Sequence, residues 1–232
     1  DINLAQGTLR VNADGSWTFD PNSLDQDDPQ SLTFSAEVTD ADNDVASDDH
    51  TITITDGEGP MAGDPITLTV DDENLADGSN PALPVEDADD IVFTAGSDAI
   101  ASIVFATDLS GLDSSLDWTR VNDNQIVGRD DGVDIVTLDL NVVGTTATVK
   151  ATLNDNYDSH PGFTADDLKA LGSVGVIATD IDGDTATGTV NVQVSDDVPD
   201  MTVSGTDTVA EDAASPINGT WDNASAGAEG AA

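Results

Sequence analysis

The feature that most constrains this chain is a short stretch that occurs twice. Thr179-Asp180-Ile181-Asp182-Gly183-Asp184-Thr185-Ala186 alternates carboxylates and spacers between two apolar runs, and Thr39-Asp40-Ala41-Asp42-Asn43-Asp44-Val45-Ala46 carries the same pattern 140 residues earlier, Thr39 against Thr179. Three carboxylates at alternate positions of one turn repel by roughly 4 kcal/mol per close pair at an effective dielectric of about 20. A hard cation is therefore the expected companion of each turn. An EF-hand loop would need a bidentate Glu at its twelfth position, and counting from Asp180 reaches Asn191, so these are expected to be hairpin-loop sites that draw further ligands from elsewhere.

The repeat also sets expected domain boundaries. Thr39 to Thr55 aligns without gaps on Thr179 to Ser195, and each copy runs into an acidic pause and a proline, Asp56-Gly57-Glu58-Gly59-Pro60 against Asp196-Asp197-Val198-Pro199. Weaker similarity continues beyond, Thr69-Val70-Asp71-Asp72-Glu73 against Thr208-Val209-Ala210-Glu211-Asp212. The expected organisation is the C-terminal part of a split module (1–59), a complete domain (60–198) and the N-terminal part of a further module (199–232).

The elements between these marks read as strands. Leu9, Val11, Trp17 and Phe19 alternate with polar residues on either side of Asp14-Gly15, a hairpin signal that puts them on one face. Leu32 to Val38 and Thr51 to Thr55 flank the first acidic turn. Further strands are expected at Ile66 to Val70, Asp90 to Thr94, Ala101 to Thr107, Leu116 to Val121, Gln125 to Gly128, Asp134 to Val142, Thr146 to Leu153, Val174 to Thr179 and Thr187 to Val194. One short helix is expected, with Thr164 as N-cap, Ala165 to Leu171 as its body and Gly172 closing it. Many short strands with so little helix predict an all-β chain of antiparallel, immunoglobulin-like sandwiches.

Charge narrows the partners. The chain has 47 acidic and 5 basic residues, a net −42, which excludes nucleic acid and anionic lipid. Only Glu37, Glu58, Glu73, Glu86, Glu211 and Glu229 are Glu, so 41 of the acids are Asp. Asp is a poor helix former that favours turns, and short carboxylates in turns are what oxygen-liganded calcium sites use. Cysteine is absent, so neither disulfides nor thiolate metal sites are available, and bound calcium is an alternative source of stability. No run approaches the 18 apolar residues of a membrane span, and Asp1-Ile2-Asn3-Leu4 has neither the basic region nor the apolar run of a signal peptide; the chain is expected to start inside a longer protein.

In a seven-strand sandwich the last hairpin loop sits where the chain enters. Asp180, Asp182 and Asp184 are therefore expected to face Asp56 and Glu58 across a first junction, with Asp196, Asp197 and Asp200 marking a second and Asp40, Asp42 and Asp44 forming the equivalent loop of the first segment. This is a cadherin-like arrangement with calcium at the domain junctions. Other acid clusters, Asp25, Asp27 and Asp28, then Glu86, Asp87, Asp89 and Asp90, then Asp130 and Asp131, read as solvated loops, while Asp71, Asp72 and Glu73 could cap a junction. His50 and His160 share no metal-ligand spacing, so zinc is not expected. Trp17, Trp118 and Trp221 read as strand core residues. The chain has no nucleophile elbow, phosphate loop or thiol nucleophile, and a non-enzymatic role is expected, with accidental carboxylate pairs left open.

Three phrases carry a resemblance: Gly7-Thr8-Leu9-Arg10-Val11-Asn12-Ala13-Asp14-Gly15-Ser16-Trp17-Thr18-Phe19, the Thr179 to Ala186 stretch, and Glu211-Asp212-Ala213-Ala214-Ser215-Pro216-Ile217-Asn218-Gly219-Thr220-Trp221. Together with Asp155-Asn156-Tyr157-Asp158-Ser159-His160 they resemble the repeat modules of large type I secreted RTX adhesins of Gram-negative bacteria. The resemblance implies an extracellular, cell-surface extender that binds Ca2+ and projects ligand-binding domains outward. It also implies that a module starting like 199–232 finishes like 1–59, so that the terminal halves could pair within a chain or between molecules. The glycine-rich nonapeptide of that family is absent. The alternative reading is a calcium-dependent carbohydrate- or peptide-binding module.

Overall fold

The computed structural model describes residues 1–22, 29–157, 168–197, 200–203, 221–225 and 228. Among them every regular element is a strand except one 3-10 turn at Asp72–Asn74, and no helix is long and apolar enough to cross a membrane. The chain divides into two compact units. One holds Asp1–Met61, Thr94–Ser102 and Ala178–Ala186, and the other holds Ala62–Phe93, Ile103–Ile177 and Thr187–Ala232.

In the first unit β1 (Ile2–Leu4), β2 (Gly7–Val11) and β3 (Trp17–Pro21) form an antiparallel sheet in that order. Leu9 pairs with Phe19 and Val11 with Trp17, so the four share a face as expected, through a register one residue off that of a two-residue Asp14-Gly15 turn. Residues 12–16 form the loop, longer than a two-residue turn. Asp14 accepts the N–H of Ser16 at 3.0 Å and its hydroxyl at 2.7 Å, so Asp14 closes the loop as a side-chain acceptor while Gly15, at φ 86°, supplies the left-handed residue. β4 (Gln30–Thr39) and β5 (Val45–Ile54) pair antiparallel across ten residues each. Trp17 of β3 packs edge-on against Phe34 of β4, with ring centroids 5.4 Å apart, and lies 4.9 Å from the ring of His50 on β5.

The strands β6 (Met61–Ala62), β7 (Ile66–Asp71), β8 (Glu86–Thr94), β9 (Ile100–Phe105), β10 (Asp117–Asn122), β11 (Gln125–Asp130) and β12 (Val133–Val143) follow. Then come β13 (Thr146–Leu153), β14 (Leu168–Asp180), β15 (Thr185–Ser195), β16 (Asp200–Val203) and β17 (Trp221–Ser225), the last two paired with each other. One sheet has the order β10-β11-β12-β13-β8-β6 and another β7-β15-β14-β9. In the second unit the two pack face to face: a side chain at Gly188 of β15 would sit 2.8 Å from Ile91 and 3.3 Å from Phe93 of β8. Period-two alternation builds this core. Ile91, Val136, Leu138 and Val149 are buried from one side, and Leu68, Val176, Val190 and Val192 from the other. Full burial of such a side chain stabilises by about 1.5–3 kcal/mol.

Two expectations are corrected. The described part of the expected helix, Leu168 to Leu171, is the start of β14. Leu171 is fully buried there, Lys169 pairs with Asp113 at 3.0 Å, and Gly172 at φ 96° shifts the alternation within a strand instead of ending a helix. One isolated helical turn is marginal, and the extended apolar pattern that runs on through Val174 and Val176 wins; Thr164 to Asp167 lie outside the described residues. The sheets are also not wholly antiparallel. β15 and β7 pair in parallel, Val190 with Ile66 through Ser195 with Asp71, because more than a hundred residues of chain connect them and no tight turn dictates direction.

Candidate metal centre

Both acidic turns close in the same way. The N–H of Asp40 donates to the carbonyl of Asp44 at 3.0 Å, and that of Asp180 donates to the carbonyl of Asp184 at 3.0 Å. The left-handed residue is Asn43 (φ 73°) in the first turn and Gly183 (φ 110°) in the second, equivalent positions of the repeat and two residue types that tolerate that conformation. Thus the duplicated sequence produces a duplicated backbone.

The surroundings differ. Around the second turn three distant segments meet within the first unit: Asp56 just after β5, Asp98 between β8 and β9, and Asp182 in the turn. One carboxylate oxygen from each lies within 4.8 Å of the others. Asp98 is 5% exposed and accepts the Ser97 hydroxyl at 3.0 Å. Ser97 also donates its N–H to the Glu58 carbonyl at 2.8 Å. Gly96 and Gly59 make this possible. A side chain at Gly96 would collide with the carbonyls of Glu58 and Gly59, and one at Gly59 would sit 2.9 Å from the Asp184 side chain. Asp180, 4% exposed, accepts the N–H of Gly183 at 3.1 Å.

Asp182 records the electrostatic cost of this crowding. Its carboxyl is pushed up to about 6, first by a hydrogen bond with Asp180, then by burial and by the charges of Asp180 and Asp56. Its Oδ1 is buried with no hydrogen-bond partner. Among the described residues no Lys or Arg answers it. All five basic residues bond carboxylates elsewhere: Arg10 to Asp1, Arg120 to Asp123, Arg129 to Asp134, Lys150 to Glu86 and Lys169 to Asp113. The donor set fits a hard cation. It is all oxygen, with no thiolate or imidazole among the three groups, and oxygens within 4.8 Å of one another are close enough to share one ion bound at about 2.3–2.6 Å.

The first turn is open. Asp40, Asp42 and Asp44 also bring three oxygens within 4.8 Å, and all three residues are exposed. Asp40 Oδ1 accepts the N–H groups of Asp42 (3.2 Å) and Asp44 (2.9 Å). Its carboxyl is held below the usual range, chiefly by a hydrogen bond from Asp42 and by the Asp44 N–H.

The remaining expected ligands have other places. Glu58 contributes its carbonyl, and its carboxylate is outside the three-oxygen groups, as is that of Asp184. Asp197, 5% exposed, is absorbed by Ser79, accepting its N–H and its hydroxyl, each at 2.8 Å. Asp196 stands beside it at the end of β15, and Asp200 opens β16 with its side chain outside the described residues. Asp71 accepts the Glu73 N–H and caps the 3-10 turn, where Asp72 is fully buried. Glu86, Asp87 and Asp90 belong to β8 and bond Lys150, the Thr69 N–H and Thr148. Asp25, Asp27, Asp28 and His160 lie outside the described residues. The member of this cluster that sequence reasoning missed is Asp98. It has no acidic neighbours, and its only signal is the Gly96-Ser97-Asp98 turn between two strands.

Compared with known proteins, the sequence matches no family model and no curated protein.

Proposed function

We propose that this chain is a calcium-rigidified extender segment of a large bacterial surface adhesin, built from tandem immunoglobulin-like sandwich modules. The observation that carries the reading is the convergence of Asp56, Asp98 and Asp182 from three distant segments onto one point with an all-oxygen donor set. A calcium ion there competes with the proton for the Asp182 carboxylate, and ties the segment leading into Pro60 to a loop and a hairpin of the repeat that follows. The role is mechanical. Without the ion the carboxylates repel and the joint bends; with it the path of the chain is fixed and terminal ligand-binding domains are held away from the cell. The affinity expected for an extracellular module is roughly 10⁻⁴ to 10⁻³ M.

Small-angle scattering of the chain in calcium and in chelator tests this. The maximum dimension should increase with calcium, and superimposable profiles would sink the mechanism. A second reading, a calcium-dependent carbohydrate- or peptide-binding module, draws on Trp17, which is 39% exposed beside His50 and offers a stacking face. It requires glycan or peptide binding that chelator abolishes and Trp17→Ala weakens.

A further inference from the structure

Ser97 holds two of the three segments that meet at the acidic cluster of the first unit. Its N–H donates to the Glu58 carbonyl at 2.8 Å, two residues beyond Asp56. Its hydroxyl lies 3.0 Å from Asp98 Oδ2 and 3.2 Å from the same Glu58 carbonyl. A hydroxyl has a single proton to give. The carbonyl is already served by the N–H, and an ionised carboxylate is the stronger acceptor, so the proton goes to Asp98. The backbone makes room for this side chain. A side chain at Gly57 would collide with Cβ and Oγ of Ser97, and one at Gly96 would collide with the Glu58 carbonyl. Gly57 is not in the left-handed region, so what it supplies is space for Ser97 and not backbone freedom.

From this geometry we propose that Ser97 is the positioning residue of the Asp56, Asp98 and Asp182 cluster. The inference rests on the calcium reading above and names the side chain that orders that site. The hydroxyl fixes the rotation of the Asp98 carboxylate, and the N–H fixes the loop carrying Asp98 against the segment carrying Asp56. Without the hydroxyl, Asp98 must give up rotational freedom to reach the ion, and water competes for its place among the six to eight oxygens that calcium takes. Hydrogen-bond partners of metal ligands set affinity by roughly 10–100-fold. Ser97 is exposed, which puts its effect at the lower end of that range and lets it be replaced without disturbing the apolar core.

Terbium(III), a luminescent ion that takes the same oxygen ligands as calcium, tests this on the full chain. The part of its signal that Asp98→Asn abolishes belongs to the cluster. In Ser97→Ala that part should persist with affinity reduced about tenfold, and luminescence lifetimes compared in water and D2O should count about one additional water on the ion. Gly57→Ala, which displaces the Ser97 side chain but keeps its hydroxyl in the chain, should do the same. Ser16→Ala removes a similar hydroxyl bond to Asp14 and should change neither readout. A merely structural role for Ser97 would lower resistance to urea in chelator and leave the water count unchanged. If Ser97→Ala keeps the cluster's signal with affinity and water count unaltered, the proposal is overturned and the calcium reading stands. If the unaltered chain gives no signal that Asp98→Asn abolishes, the calcium reading falls and the proposal with it.

Discussion

Calcium binding at the Asp56, Asp98 and Asp182 cluster should be strongly pH-dependent in a range where ordinary carboxylates are silent. A cation that binds the ionised Asp182 competes with its proton, and the apparent affinity is divided by one plus the ratio of proton activity to the acid constant. With the carboxyl at about 6, that divisor is about 1.1 at pH 7 and about 11 at pH 5, a roughly tenfold loss of affinity. At the usual value of 3.8 the divisor at pH 5 would be about 1.06, and no loss would be seen. Isothermal titration at pH 7, 6 and 5, in two buffers of different ionisation enthalpy, reads both the affinity and the protons released. Asp182→Asn should weaken binding at pH 7, by about tenfold or more for the loss of one charged ligand, and flatten the pH profile. A profile already flat between pH 7 and 5 in the unaltered chain, or one that persists in Asp182→Asn, refutes the competition. Stability carries the opposite sign in chelator. The folded carboxyl is raised above its unfolded value, so its stabilising contribution is fully present below about 4 and is lost as pH rises through about 6. The calcium-free chain should therefore gain denaturation resistance from this site on mild acidification, where the calcium-loaded chain should lose it.

Three further outcomes test the frame. Gly188→Val should destabilise the second unit by about 1–3 kcal/mol in urea unfolding, because the new methyls meet Ile91 and Phe93; a cost below about 0.5 kcal/mol would mean the sheets do not close there. Asp197→Ala strands the N–H and hydroxyl of Ser79 and should cost about 1–3 kcal/mol with no change in calcium stoichiometry; a lost calcium would make Asp197 a ligand. Gly183→Ala, at φ 110°, should cost about 1–2 kcal/mol and weaken calcium binding, whereas Asn43→Gly should change stability by only a few tenths of a kcal/mol in thermal melts. Equal effects at the two positions would deny that the loops share one geometry.

The sequence resolves strands well here because burial on one face writes a period of two. Thr146 to Leu153 is read to the residue, and the Leu9, Val11, Trp17, Phe19 pairing follows from alternation around a turn. What alternation cannot supply is direction between strands far apart in the chain, which is why the parallel β7–β15 pair is invisible. Nor can it arbitrate Leu168 to Leu171, whose local preference is helical and whose partners, Asp113 and the Leu112–Gly172 bridge, lie more than 50 residues away. The candidate centre is legible in the same proportion. Asp182 and Asp56 stand in acidic stretches that draw attention, but Asp98 is isolated, and only the close approach of Gly96 to Glu58 reveals it. Asp197, which the sequence groups with the acidic pause after β15, accepts both the N–H and the hydroxyl of Ser79, a partner 118 residues away that no local pattern announces.

The two acidic turns separate what a motif determines from what its surroundings determine. Their closing hydrogen bonds match in length and their left-handed residues occupy equivalent positions, so the backbone is a property of the eight residues themselves. Their protonation is not. Asp40, exposed and bonded by the Asp42 side chain and by two N–H groups, holds its charge more readily than a free carboxylate. Asp182 gives its charge up more readily, because Asp180 and Asp56 crowd it and its Oδ1 is sealed from solvent. A cation gains most where charge is most poorly accommodated, provided the oxygens converge. The second turn meets both conditions, and it does so with ligands from segments that the repeat alone never brings together. Calcium should therefore fill the Asp182 site before the Asp40 turn, and Asp98→Asn should abolish the tighter phase of a titration while leaving the weaker one intact. Loss of both phases, or of neither, would place the stronger site elsewhere.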